Sequence, residues 1–384
     1  DHRGVIVMAT VTKTIGTSSR DYSTISAWEA DLSDASIYSD GDDAVGEIYA
    51  DSTFTGNTVT IDGGTSIGGS SGQDLNSVKL TVAAGNRHDG TAESGALLKP
   101  TANSGHNVGI IVIEIDNFTL EWLDISLDSL DSTNTNRAIT MNSGVGNLTI
   151  RNMLIHDKGG NPGSTGPFAI VSSQAGTTSN NWYFLNNIFY SFIETSNDSA
   201  GAIIIRAFKG NLYIYNNTVY KIKSQGGSKD AIGFRFGDGT HIQANIKNNI
   251  VAGLDEGDVA AAYWMDEVPN SNRVLNSATN LSDDTSDAAK DAEDFDVNKN
   301  DSTGLIGKTL AEIAFVSTTA GSEDLHITED SVCVDAGTDL GTTGGTQTDI
   351  NGRDRDSQGD TWDIGAHEFV ADADSTGTFM IFTD

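Results

Sequence analysis

Cysteine is nearly missing from this chain: Cys333 stands alone among 384 residues. An intrachain disulfide is excluded, and so is any CxxC or zinc-ligand spacing. Cys333 is expected to be a small buried hydrophobe. Proline is scarce too, 4 residues against 42 glycines, a balance that excludes collagen and most disordered tails. Basic residues are heavily outnumbered. The 22 Lys and Arg face 41 Asp and 13 Glu, a formal net charge of −32. Phosphate backbones repel such a polyanion, so nucleic acid is excluded as a partner. No apolar stretch approaches the roughly 18 residues of a spanning helix, so no membrane insertion is expected. The GxSxG, Walker A, HExxH and dinucleotide fingerprints are all missing. An acidic coat of this kind suits salty extracellular water, where charges are screened within a few Å.

What the chain does have is a repeat. The segment Asn147-Leu148-Thr149-Ile150-Arg151-Asn152-Met153-Leu154 returns around Asn186, Asn216 and Asn248, and an Asn-less relative surrounds Trp122. Positions 122, 152, 186, 216 and 248 step by 30, 34, 30 and 32. An Ala-Ile motif precedes each copy, at Ala138, Ala169, Ala202 and Ala231, with Ala262 next. Each repeat thus holds at least two short strands of alternating apolar residues. Alone they bury nothing; stacked they share one core. The unit is too short for a propeller blade and lacks Asn-Gly hairpin signals, so parallel coiling is preferred. Roughly seven or eight coils, each rising about 4.8 Å, make a rod of about 35 Å.

The recurring Asn152, Asn186, Asn216 and Asn248 are read as a structural ladder. Stacked amides hydrogen-bond along the axis, and Asn tolerates the left-handed backbone of a sharp corner. Helical spacing at Tyr22, Ile25, Trp28 and Leu32 predicts a short amphipathic helix plugging the first coil. The chain therefore divides into a strand and capping helix over 1–44, parallel coils over 45–280, an acidic insertion and closing module over 281–370, and an apolar strand-like tail over 371–384.

Several segments carry a family likeness. They are Asp21-Tyr22-Ser23-Thr24-Ile25-x-Ala27-Trp28, the Asn-bearing coils, and Asp324-Leu325-His326-Ile327 with Ser331-Val332-Cys333-Val334-Asp335-Ala336-Gly337. Asp349-Ile350-Asn351-Gly352-Arg353-Asp354-Arg355 and Asp363-Ile364-Gly365-Ala366-His367-Glu368-Phe369 complete the set. Together they resemble the right-handed parallel β-helix (pectin-lyase-like) superfamily. The resemblance spans roughly residues 10 to 370. It implies an all-β, right-handed parallel β-helix solenoid with a short N-terminal capping helix. It implies no single activity, because lyases, hydrolases, phage tailspikes and adhesins share that fold.

Within the closing module, Arg355 has the carboxylates Asp349, Asp363 and Glu368 in reach, and a guanidinium held by one or two of them would pin the last coil. No cofactor is expected. One candidate ion is Ca²⁺ on Asp349, Asn351, Asp354 and Asp356, whose oxygens are spaced by twos, although Asp360 stands where the loop's Glu belongs. On the coils, aligning the Ala-Ile motifs stacks Arg206 on Arg235. Such a pair would hold the carboxylate of an acidic polysaccharide, and a base such as Lys209 or His241 would make the site a lyase. Of the six Asn-x-Ser/Thr sequons, Asn197, Asn280 and Asn300 are the expected glycan sites of an exported chain.

The start reads two ways: Asp1 follows a cleavage, or Met8 is the initiator. The apolar ends, residues 4–11 and 377–383, suggest self-assembly of the rod through terminal strands. The leading expectation is an extracellular or virion-surface structural protein, an appendage, spike or filament subunit that binds glycan. The alternative is a secreted polysaccharide lyase or glycoside hydrolase acting on an acidic glycan.

Overall fold

The structure, a computed structural model, describes residues 8–56, 58–63, 74–101, 108–128, 136–142, 145–157, 167–172, 180–194, 199–206, 208–224, 230–237, 242–255, 259–265, 273–283, 295–296, 303–358 and 361–371. They form a parallel β-solenoid of about seven turns. Three sheets run along it. Sheet 1 has nine strands, from Thr10–Ile15 and Asp43–Ile48 through Leu148–Arg151 to Arg273–Ala278. Sheet 2 has seven strands, from Leu97–Leu98 through Leu154–His156 to Leu281–Ser282. Sheet 3 has eight, from Val59–Ile61 through Ala200–Arg206 and Asp230–Gly237 to Val259–Met265 and the antiparallel Phe295–Asp296.

The repeat read from the sequence is the register of sheet 1. Leu148 lies opposite both Phe118 and Trp182, and Trp182 opposite Leu212. The inward residues therefore stack like on like. Leu80, Leu120, Ile150, Phe184, Ile214 and Ile246 form one column, each fully buried. Burying such a side chain is worth about 1.5–3 kcal/mol. The column ends at Gly46, because the cap occupies the next place. A Cβ on Gly46 would lie 2.7 Å from the Trp28 ring.

That ring belongs to the helix Ile25–Ala30, which starts where Thr24 accepts a hydrogen bond from the Ala27 amide. Ile25 and Trp28 are its buried residues, and Glu29 Oε1 accepts from the amides of Asp62 and Gly63. The amphipathic plug expected over the first coil is present as this single turn and a half. The expected boundary at residue 44 falls inside the strand Asp43–Ile48, which pairs along its length with Thr10–Ile15. The edge strand Thr10–Ile15 is itself partly closed by its own turn. The Thr14 amide donates to Asp21 Oδ2, and its carbonyl accepts from Tyr22. Of the apolar ends proposed for assembly, 4–11 and 377–383, residues 4–7 and 377–383 lie outside the described residues, as does most of the acidic insertion, while Thr10 and Val11 open the strand Thr10–Ile15.

The C-terminal module departs from the expected cap. It leaves the last coil through Leu305, which pairs with Asn280 and Ser282, and then turns back along the side of the rod. Its helix Leu310–Ile313 and its hairpin of Phe315–Ser317 with Asp324–Ile327 belong to a core of their own. In that core Ile313, Leu325, Ile327, Cys333, Ile350 and Ile364 pack on Leu154, Ile188, Ile250 and Leu281, apolar outward residues of sheet 2. A parallel sheet wants both faces covered, and sheet 2 is covered by this segment. Cys333 is fully buried there, and burial pushes its thiol up to about 12.

Candidate functional site

Two surfaces carry polar side chains in rows. The first is the seam between the coils and the C-terminal module. Asn152, Asn186, Asn216 and Asn248 all turn the corner in the left-handed region, φ between 53° and 56°. Their amides do not form the axial ladder, however. That role falls one residue later. Asn187 Nδ2 donates to Asn217 Oδ1 (2.9 Å), Asn217 to Asn249 (2.9 Å) and Asn249 to Asn280 (2.8 Å). The corner reverses the side to which successive residues point, so the first Asn of each pair faces out and the second faces in.

The outward row grips the module. Asn152 Nδ2 donates to the Asp349 carbonyl, Asn186 to Thr348 and Asn248 to Thr338, at 2.7–2.8 Å. The module chain thus descends from the coil of Asn248 to that of Asn152, three rises or about 14 Å. Asn280 is the last rung of the inner ladder and fully buried, its Nδ2 spent on the Ile246 carbonyl and Ser277. The expectation that it carries a glycan is corrected on that ground. Asn197 and Asn300 lie outside the described residues.

Arg355 is fully buried at the centre of the seam. Its Nη1 lies 2.6 Å from Glu368 Oε2, and its Nη2 donates to the Gly365 and Ala366 carbonyls and, at 3.4 Å, to Asn186 Oδ1. It therefore pins the middle of the rod, not the last coil. Burial pushes the Glu368 carboxyl up to about 7 against the pull of Arg355. Asp349 and Asp363, expected as further partners of Arg355, instead hold backbone. Asp349 accepts the amides of Asn351, Arg353 and Glu368, and Asp363 those of Asp335 and Phe369. The oxygens proposed for Ca²⁺ are similarly occupied. Asp354 accepts from the Asp356 amide, Asp356 from Gln347 and Trp362, and Asn351 Oδ1 faces His326 Nε2. Among the described residues, no three acids, histidines or cysteines gather as a metal site.

The second surface is the outer face of sheet 1. In register run Val45, Lys79, Thr119, Thr149, Tyr183, Tyr213 and Asn245. Beside them runs a second amide row, in which Asn147 donates to Asn117 (3.1 Å) and Asn211 to Asn181 (2.9 Å). On the other side, Arg151 clasps Glu121 at 2.6 Å, and the Thr81 hydroxyl and Lys79 approach the same carboxylate. Arg151 Nη1 also donates to the Gly344 carbonyl, so the module walls one end of the face.

Between these rows lies a trough of about 350 Å³ lined by Thr10, Asp43, Val45, Ser77, Lys79, Thr119, Thr149, Arg151 and Gly344, with Val78. Tyr183 stands above it. Tyr213 covers one face of the Tyr183 ring at 4.6 Å. The residue in register on the other side is Thr149, too short to cover a phenol. The trough offers hydroxyl groups, a guanidinium and an ammonium, with the Tyr183 ring in register beyond Thr149. The carboxylate of its lining, Asp43, and Glu121, which Arg151 clasps, are both held ionised. Hydrogen bonds from Ser77 and Asn76 lower Asp43. Burial raises Glu121, but Arg151, Lys79 and Thr81 together outweigh it and leave the group below its usual range. Neither is a general acid, which needs a raised pKa.

The arginine pair expected on one strand position is not a pair. Ile204 lies opposite Arg235, and Arg206 opposite Gly237. The motif alignment slipped by two residues at Ala231, which pairs with Ala200. A slip of two preserves the face in a strand of period two, so alternation could not reveal it. Both arginines do lie on the outer side of sheet 3. Arg206 is exposed, and the Arg235 guanidinium sits 4.5 Å over the Trp264 ring. Lys79, Glu121, Arg151 and Tyr183 went unremarked in the sequence. Their signal was present in the outward positions Asn147-x-Thr149-x-Arg151 and Asn181-x-Tyr183-x-Leu185.

Fold and surfaces define a parallel β-solenoid with a C-terminal module docked along one side. No protein-family model, curated protein or solved structure was found to match the chain.

Proposed function

We propose that this chain is a non-catalytic, glycan-binding structural solenoid of a cell or virion surface, which holds an acidic polysaccharide along the outer face of sheet 1. The observation that carries this reading is the trough itself. Its lining carries the hydroxyls of Thr10, Ser77, Thr119 and Thr149, Lys79 and Arg151 stand at its side, and Asp43 in the lining and Glu121 against Arg151 stay ionised. Sugar hydroxyls match the lining, a uronate or sulfate matches the cations, and a ring face matches Tyr183. A stiff rod presents such a surface without ordering cost, which favours binding of an extended chain.

The test is affinity electrophoresis in gels containing alginate, pectate or chondroitin sulfate. Retardation by at least one polyanion is expected, together with its loss in Arg151→Ala and its persistence in Arg206→Ala. Migration unchanged in all three gels would overturn the reading. Release of unsaturated sugar products in the same incubations would replace it with a lyase.

A further inference from the structure

The C-terminal module contains a separate concavity of about 550 Å³, lined in part by Val316, His326, Glu329, Arg353, His367 and Val370. Its chemistry turns on which nitrogen of His367 carries hydrogen. The Ile327 amide donates to His367 Nδ1 at 3.3 Å. Nδ1 is therefore the bare nitrogen, and the neutral ring carries its hydrogen on Nε2. Burial, with the charges of His326, Arg353 and Arg355, pushes this ring down to about 2, so it stays neutral.

Arg353 Nη1 lies 3.5 Å from that Nε2 and also donates to the Glu368 carbonyl at 3.4 Å, and a guanidinium only donates. Two donors thus face each other, one of them on a side chain only 7% exposed. Such an arrangement is costly unless an acceptor joins them. Further positive charge stands close by. His326 directs one nitrogen at Asp324 Oδ1 (2.5 Å) and the other at Asn351 Oδ1 (3.1 Å). Burial works against the charged ring, but Asp324 and Asn351 outweigh it and raise its pKa. Its ring centre lies 4.4 Å from that of His367. Among the described residues, Glu329 is the one carboxylate of the lining. Val316 and Val370, 55% and 37% exposed, supply an apolar wall.

We propose that this concavity binds the oxyanion of a small organic acid, a carboxylate or sulfate seated between His367 Nε2–H and the Arg353 guanidinium. The volume exceeds what a bare ion needs and suits one ring, and the valines suit its apolar face. A uronic acid or a sulfated sugar meets both demands. This site shares no lining residue with the trough and stands without the proposal made for it.

The test is a titration of the full chain, labelled with ¹⁵N-histidine, with sodium glucuronate, glucosamine 6-sulfate and glucose, following the His367 ring nitrogens. Either anion should move the Nε2 signal while glucose leaves it in place. Response to glucuronate alone identifies a carboxylate site, and to the sulfated sugar alone a sulfate site. Arg353→Gln should weaken binding by about ten-fold, the loss of one charge-assisted hydrogen bond, and Arg151→Ala should not change it. A His367 ring protonated on Nδ1 would overturn the proposal. So would an equal response to glucose, or none to either anion.

Discussion

Two outer faces of one rod are built from the same repeat and have opposite characters. On sheet 2 the outward row reads Asp124, Leu154, Ile188, Thr218, Ile250 and Leu281, apolar at most positions, and the C-terminal module lies on it. On sheet 1 the outward row reads Lys79, Thr119, Thr149 and Tyr183, and the trough lies open over it. Both faces back onto the same inner core and share the coil rise. What differs is only what the outward positions must meet. An apolar outward row in a solenoid marks a face that another segment covers, and a row of amides, hydroxyls and phenols marks one left to solvent or ligand.

The contrast breaks most sharply at Arg355. Arg355→Ala leaves Glu368 buried without its partner and should cost about 3–5 kcal/mol. Thermal melting should show the loss, and proteolysis should open residues 303–371 first. An unchanged melt would mean the covered face does not depend on this knot.

The inner ladder serves both faces and should respond less. Asn217→Ala removes the amide that spans Asn187 and Asn249 and should cost about 1–3 kcal/mol in urea unfolding.

A smaller effect follows pH and should appear on the covered side alone. His156 is buried with Asp124 Oδ1 3.1 Å from its Nε2 and stacks on Tyr190. Burial works against the charged ring, but Asp124 and Asp128 outweigh it and raise its pKa to about 9. A raised pKa means stability that is full below the unfolded value near 6.5 and is lost as pH rises through about 9. Urea unfolding from pH 6 to 10 should show this decline, and His156→Gln should flatten it. An equal decline in the variant would assign the effect elsewhere.

The open face should move least. Tyr183→Ala should change stability by no more than about 0.5–1 kcal/mol while abolishing retardation in the polysaccharide gel. A loss as large as that of Arg355→Ala would show that the tyrosine stack is structural.

Much of this was legible in the sequence. The steps between Trp122, Asn152, Asn186, Asn216 and Asn248 give the coil, because like residues stack at one register and side-chain alternation fixes the inner face. The helix at Trp28 followed from its spacing. What stayed hidden needed distances across the fold. Asn152 and Asn187 are equivalent in composition, and only the corner's geometry decides which amide joins the ladder. Leu154 and Ile188 read as strand core, and nothing local says that their cover comes from residues near 350. The offset of Arg206 from Arg235 was invisible because a shift of two residues leaves the pattern unchanged.

The placement of the C-terminal module along the rod is the central claim, and methyl and aromatic NOE spectroscopy tests it most directly. Gly344 lies against Leu185 Cδ1, Gly352 against the Trp122 ring and Gly365 against Ile250 Cδ1. NOEs from these three glycines to three different coils, in one molecule, are the expected result. Module contacts confined to the last coil, residues 273–283, would contradict it.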